Sequence, residues 1–472
     1  MNSIHPLFLN ITKHKIPKPL TISYCFSHNI SSNITPTINP QNNENNINYT
    51  SQHWAKTIST HITNCTNINQ LNQIYAHVIR THLLYIHNDP FYWNTIIRAY
   101  TSFYASTKAL YVTLGMLRAG VGPDTYTLPV VLKAVSQNNG VKLVTQFHAV
   151  AMKYGLEGSM FCESGFISLY AKVGEFENAQ KVFDESVERG VGTWNAVICG
   201  LSQGGRGREA VDMFLEMKRS GLEPDDVTMG SVISACGSLG DLGLALQLHK
   251  CVFRAKRFGK SDVLMSNALV DMYGKCGRMD LAYRVFSRMS ERNVSSWTSM
   301  IVGYAMHGHV SEALECFRCM REASVRPNGV TFVGVLSACV HGGVVQEGKC
   351  YFNMMKNEYG IEPWLQHYGC MVDLLGRCGL LEEAREMIEK MPMEANVVIF
   401  GCLMGACEKY ANVKMGEWVA KHLERLEPWN DGVYVVMSNI YASNGLWEDV
   451  GRMRLIMKER KLEKIPGYSL GV

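Results

Sequence analysis

The sequence predicts an all-α fold, an α-solenoid superhelix of stacked helix-turn-helix repeats, and three recurring markers carry that prediction. Trp93, Trp194 and Trp297 lie 101 and 103 residues apart, and Pro123, Pro224 and Pro327 repeat the same two intervals. The runs LYAKVG at 169, MYGKCG at 272 and LLGRCG at 374 follow at 103 and 102 residues, offset from the tryptophans. Three independent markers in one register define a period of about 102 residues before any secondary structure is assigned.

Within one period, residues 191–225 read as two helices. WNAVICGLS opens the first, and Ala210, Phe214 and Met217 stripe the second at helical spacing; Ala313, Phe317 and Met320 repeat the stripe one period later. Gly221 falls where a helix end wants a left-handed residue, and Pro224 blocks continuation, as Gly120 and Pro123 do one period earlier. A hairpin of about 35 residues cannot bury both helices alone, so neighbours must stack on a shared core and leave an elongated concave groove, a binding surface and not a catalytic pocket.

The period divides into normal, long and short units at 90–124, 125–159 and 160–190, then 191–225, 226–262 and 263–293, then 294–328, 329–364 and 365–396. Residues 54–89 read as a degenerate or truncated first repeat: 54–83 look like a long unit, the short unit that should follow is absent, and 84–89 run straight into the next repeat. Residues 397–472 continue the helical pattern as a C-terminal extension.

Composition bounds the function. The chain has 472 residues, 47% hydrophobic, with 46 basic side chains against 42 acidic ones, so no global basic field announces a nucleic-acid partner. Fifteen cysteines scattered through apolar helical patterns fit small buried thiols in a reducing compartment. No apolar run approaches the roughly 20 residues of a membrane span. The first 53 residues are rich in Asn, Ser and Thr, carry Lys13, Lys15 and Lys18, and have no acid before Glu44. That leader fits an organellar transit peptide, mitochondrial first and plastid second; a disordered tail without an address is the alternative.

The alternation of unit lengths, the WNAVI openings, the LVDMYGKCG cores and the GLEPD endings resemble the PLS subgroup of plant pentatricopeptide repeat proteins, over residues 54–472. Residues 397–430 and 431–472 resemble the two extension (E) motifs of members associated with RNA editing. The resemblance implies a sequence-specific single-stranded RNA-binding protein of an organelle that selects a cytidine for conversion to uridine. A deaminase-bearing partner and editing accessory proteins, held through the extension, would supply the chemistry. It further implies that each unit reads one base with two residues, one near the start of its first helix and one at its end. The matching pairs are Asn94 with Asp124, Asn195 with Asp225, Asn267 with Asn293, and Thr298 with Asn328. By the family's pattern the footprint is U-n-n-U-n-pyrimidine-A-n-n. Ser164 with Gly190 and Gly369 with Asn396 fit no pair, the long units offer Pro129, Gly230 and Val333, and Gly192 and Ser295 stand where the family has an aliphatic residue that sandwiches the base.

Amides and hydroxyls suit base edges, yet Asn at a helix start is often only an N-cap and Asp after Pro is common in turns. Other organellar RNA work in the same groove, such as transcript stabilisation or splicing, remains open, as does a protein-binding scaffold of the tetratricopeptide kind. Three catalytic or metal patterns are set aside. Gly343 to Cys350 nearly spells a phosphate loop but lacks Ser or Thr after Lys349. Cys316 and Cys319 offer half a zinc site. His422-Leu-Glu424 matches the first half of a zinc deaminase motif, but no cysteine follows Cys407. The expectation is therefore a non-enzyme without cofactor or metal.

Overall fold

The computed structural model describes residues 59–81, 89–138, 141–254 and 263–460, so the leader, the junction at 84–88 and the last twelve residues lie outside it. The chain divides into two units, Met1–His82 and Leu83–Val472. In the first, a helical stretch at 59–63 precedes α1 (Ile68–Arg80), which Asn67 caps by accepting the N–H groups of Asn69 and Gln70 at 3.1 and 3.0 Å.

Every regular element among the second unit's described residues is a helix, and these run as successive hairpins. They are α2 (Pro90–Ser102) with α3 (Ser106–Arg118), α4 (Thr127–Asn138) with α5 (Val141–Lys153), and α6 (Met160–Lys172) with α7 (Phe176–Glu185). Next come α8 (Val191–Gln203) with α9 (Gly207–Arg219), α10 (Asp226–Leu239) with α11 (Leu242–Arg254), and α12 (Val263–Lys275) with α13 (Met279–Ser287). They continue as α14 (Val294–Met306) with α15 (Val310–Glu322), α16 (Gly329–Gly342) with α17 (Val345–Asn357), and α18 (Leu365–Arg377) with α19 (Leu381–Lys390). The last two are α20 (Val397–Lys409) with α21 (Val413–Leu426) and α22 (Asp431–Ser443) with α23 (Trp447–Glu459). The stack is an all-α solenoid.

Each first helix packs on the first helices before and after it, while each second helix packs on its own partner and, in most hairpins, on the next first helix. The layer of first helices is therefore continuous. Its contacts are close where side chains are small: a Cβ on Gly200 of α8 would fall 2.4 Å from the Ala171 Cβ of α6. The tryptophan and proline markers follow from this packing. All three tryptophans are buried, Trp93 beside Gly115 of its own hairpin and Trp194 and Trp297 against Phe183 and Phe286 of the unit before, and Gly221 adopts φ 82° ahead of Pro224, ending α9 in the left-handed conformation that an L side chain resists.

The short units lose their residues from the second helix. α7, α13 and α19 have 10, 9 and 10 residues, against 13 in α3, α9 and α15. An arginine compensates for the early stop in two of them. Arg189 donates to the Phe183 and Asp184 carbonyls at 3.2 and 3.1 Å and lies over the Phe183 ring, which meets Trp194 edge-on at 4.7 Å. Arg292 does the same with Phe286, Ser287 and Trp297. Orphan carbonyls at first-helix ends are taken by the following unit: Lys172 donates to Ser136 O, His307 to Gly274 O and Lys409 to Arg377 O, at 2.8, 2.6 and 3.0 Å. The extension is built into the same core, since Val372 and Leu375 of the repeats cluster with Leu403, Val419, Met437 and Ile440.

Candidate nucleic-acid interface

The last residue of a unit starts the next first helix. Asp225, Asn293 and Asn328 are N-caps whose side chains accept the backbone N–H of Thr228, Ser296 and Thr331, and those hydroxyls accept the cap N–H in return, closing a capping box. Asp124 accepts from Tyr126 N–H and Thr127 N–H at 2.9 and 2.7 Å, and Asn396 from Ile399 N–H at 3.1 Å. The capping reading of these residues is therefore correct as far as it goes. Asn94, Asn195, Asn267 and Thr298 are different: each sits in the body of its first helix, five residues in, where no cap is needed.

Fold geometry brings the two sets together. Asn94 Nδ2 donates to Asp124 Oδ1 at 3.1 Å, Asn195 Nδ2 to both Asp225 oxygens at 3.0 and 2.9 Å, and Asn267 Nδ2 to Asn293 Oδ1 at 3.1 Å. Residues 26 to 30 apart in sequence are thus joined directly by hydrogen bonds. Thr298 reaches Asn328 indirectly: its hydroxyl lies 2.7 Å from Thr331 Oγ1, which donates to Asn328 Oδ1 at 3.0 Å. Burial opposes ionisation of Asp225, but the Thr228 N–H, the Asn195 amide and the Thr228 hydroxyl together hold its carboxyl below the ordinary carboxylate value.

The amide acceptors differ from site to site. Asn195 Oδ1 accepts from the Thr228 hydroxyl, whereas Asn94 Oδ1 and Asn267 Oδ1 are buried without a hydrogen-bond partner. An unmet acceptor of this kind is unfavourable in a folded protein and marks a place where a donor from a ligand would be welcome. At the units for which the resemblance gave no pair, the two positions share no hydrogen bond among the described residues. Ser164 turns back to the Phe161 carbonyl of its own helix, Gly190 has no side chain to offer, and Gly369 leaves Asn396 with capping alone.

One feature escaped the sequence reading beyond the departures at Gly192 and Ser295. At the second position of six first helices stand Phe91, Phe161, Val227, Leu264, Val330 and Val398, with Tyr126 in the same sequence register just ahead of α4, each between 49% and 79% exposed. Single exposed apolar side chains need no explanation, but seven in one register do. Gly192 leaves open space in that row. The signal was available: Phe91, Tyr126, Phe161, Val227, Leu264 and Val330 each lie three residues before the first position that the resemblance assigns to their unit.

The metal and phosphate patterns resolve into packing. Lys349 pairs with Glu383 at 2.5 Å. Burial pushes the Cys316 thiol up to about 12, far from the thiolate a metal needs. His422 stacks on Phe400 at 4.9 Å with its Nδ1 on Trp418 O. Among the described residues no cluster of three His, Cys, Asp or Glu side chains has metal-binding geometry, and no helix is long and apolar enough to cross a membrane.

Comparison with known proteins agrees with this build. Signatures of the pentatricopeptide repeat (PPR) family match residues 164–191, 189–238, 227–255, 265–294, 292–341 and 367–394, and the E motif matches 410–470. The chain is 53% identical over 464 residues to the mitochondrial pentatricopeptide repeat-containing protein At1g77170 of Arabidopsis thaliana, covering 98% of this chain and 97% of that one. It is 40% identical to the mitochondrial relative At2g03880 of the same plant, covering 80% of this chain and 59% of that one. Among solved structures, pentatricopeptide repeat protein PPR10 in complex with an 18-nt psaJ RNA element superposes with a TM-score of 0.66 at 17% identity, over 86% of this chain and 60% of that chain. Free PPR10 from maize gives 0.60 over 87% and 65%. With one relative matched almost end to end and repeat signatures running into an E motif, the chain belongs to the pentatricopeptide repeat family, in its PLS branch that bears E motifs.

Proposed function

We propose that this protein binds a single-stranded RNA in an organelle and reads it one base per unit through Asn94/Asp124, Asn195/Asp225, Asn267/Asn293 and Thr298/Asn328. The observation that carries the reading is the convergence of these pairs near the starts of four first helices, beside a register of exposed apolar side chains. Such a site offers amides and hydroxyls to a base edge and apolar groups to its faces, which is how single-stranded RNA is recognised. A solved protein of the same fold holds an RNA element, which makes RNA the ligand class to test first.

On this reading the footprint runs U-n-n-U-n-pyrimidine-A-n-n. The E motif at 410–470 favours selection of a cytidine for conversion to uridine, with a deaminase and accessory proteins recruited through residues 397–472. The name of the relative matched almost end to end favours the mitochondrion as the site of action. The test is selection of the purified protein against a randomised single-stranded RNA pool at fixed salt. Wild type should enrich the footprint, and the double variant Asn195→Ala, Asp225→Ala should lose the preference at the fourth base by roughly tenfold. A pool that emerges unenriched would reject RNA reading. Loss of conversion at a matching mitochondrial cytidine in a knockout plant would support editing; intact conversion with altered transcript ends would move the role to transcript processing.

A further inference from the structure

Two sites in the reading layer contain a third side chain that the two-residue scheme does not use. Thr228 and Thr331 are fully buried at the third position of the following first helix, so neither touches a ligand. Each nonetheless holds a reading residue. The Thr228 hydroxyl lies within hydrogen-bond reach of both Asn195 Oδ1 and Asp225 Oδ1. The Thr331 hydroxyl links Thr298 to Asn328, at 2.7 and 3.0 Å. The equivalent Thr127 and Ser296 donate to Asp124 and Asn293 alone.

The direction of the protons at Thr331 decides what Thr298 shows. Asn328 Oδ1 can only accept, so Thr331 donates to it; Thr331 Oγ1 then accepts, and Thr298 must spend its own proton there. Thr298 is left with lone pairs and no proton for a further partner. It accepts from a base and cannot donate to one. An exocyclic amine, as on adenine, satisfies that acceptor; the carbonyl at the same place on guanine does not. With Asn195 the corresponding hydroxyl holds the amide oxygen while Asp225 holds the amide nitrogen, so that its plane is fixed at both ends.

We infer that Thr331 and Thr228 are positioning residues that set the hydrogen-bond polarity and orientation of the base-reading side chains, so that specificity at these sites belongs to three residues from two adjacent units. This inference rests on the base-reading proposal above.

The experiment measures binding of the full chain to short single-stranded RNAs carrying U-n-n-U-n-pyrimidine-A-n-n with the seventh base varied among all four. Wild type should prefer adenosine. In Thr331→Val the preference over guanosine should shrink by roughly three- to tenfold, the worth of one hydrogen bond, because Thr298 regains a proton to donate. Thr331→Ser should restore it, and preference at the fourth base should stay at the wild-type level in both. Thr228→Val, read at the fourth base, gives an independent test if Thr331→Val does not fold. Equal weakening against all four bases with an unchanged ratio would overturn the inference and leave Thr331 a capping residue. A wild type that prefers no base at the seventh place but keeps its fourth-base preference would overturn it at Thr298 alone; loss of both preferences would sink the base-reading proposal itself.

Discussion

His367 is fully buried with both ring nitrogens engaged: Nδ1 accepts the Trp364 N–H at 2.9 Å and Nε2 donates to Gly329 O at 2.8 Å. Only the neutral ring can do both, and burial accordingly lowers its pKa below the ordinary value. Because the folded-state pKa is depressed, the stabilisation is complete above an unfolded value of about 6.5 and is lost as pH falls through the folded value. His148 and His249 are shifted the same way, first by burial. Thermal midpoints should therefore drop on acidification from about pH 7 to about pH 5, and less steeply in His367→Gln. Identical slopes would reject the assignment. His367→Ala should lower stability by about 2–4 kcal/mol, through two lost hydrogen bonds and a cavity. Asp225 also loses its contribution on acidification, but in a lower window. Its folded carboxyl lies below the ordinary value of about 4, so its contribution survives down to that pH and fades only in stronger acid.

At the scale of the helix, small residues let first helices approach each other. Alanine would favour α8 intrinsically over Gly200 by about 1 kcal/mol, yet its Cβ would collide with Ala171, a side chain with no rotamer to yield. Overpacking costs about 1–3 kcal/mol. Gly200→Ala should thus destabilise by about 1 kcal/mol in chemical denaturation; a stabilised variant would mean the α6–α8 contact is looser than described. The hairpins themselves were legible because periodicity is a local signal: the stripe Ala210, Phe214, Met217 is buried as written, and Gly221 and Pro224 end α9. The arginine that closes α7 and α13 was not. Nothing in Arg189 or Arg292 as letters distinguishes a residue that caps two carbonyls and covers a ring from one on a solvated face.

Across the whole stack, cohesion is uneven. α16 buries nine of its residues and touches first helices on both sides, while α23 buries Val450 alone. In an array whose units contact only neighbours, stability is a sum of local terms. Amide exchange should accordingly be fastest in α23 and slowest around α16; uniform protection would contradict a nearest-neighbour stack. The fold class could be read from spacing because each unit repeats one packing solution. The convergence of Asn195 on Asp225 could not, since residues 30 apart meet only once the next helix is stacked, and it was reached through family resemblance. The hydroxyl at the third helical position was in view all along, as Asp225-x-x-Thr228, Asn293-x-x-Ser296 and Asn328-x-x-Thr331, but a capping box reads as punctuation until its second partner is seen. That double duty bears on how such an array changes over generations. The residue closing each of these units also launches the helix that follows, so its admissible alphabet is short: Asp, Asn and a few other small oxygen-bearing side chains. A lineage can exchange letters within that alphabet freely, and any other letter must first find the next helix a new beginning.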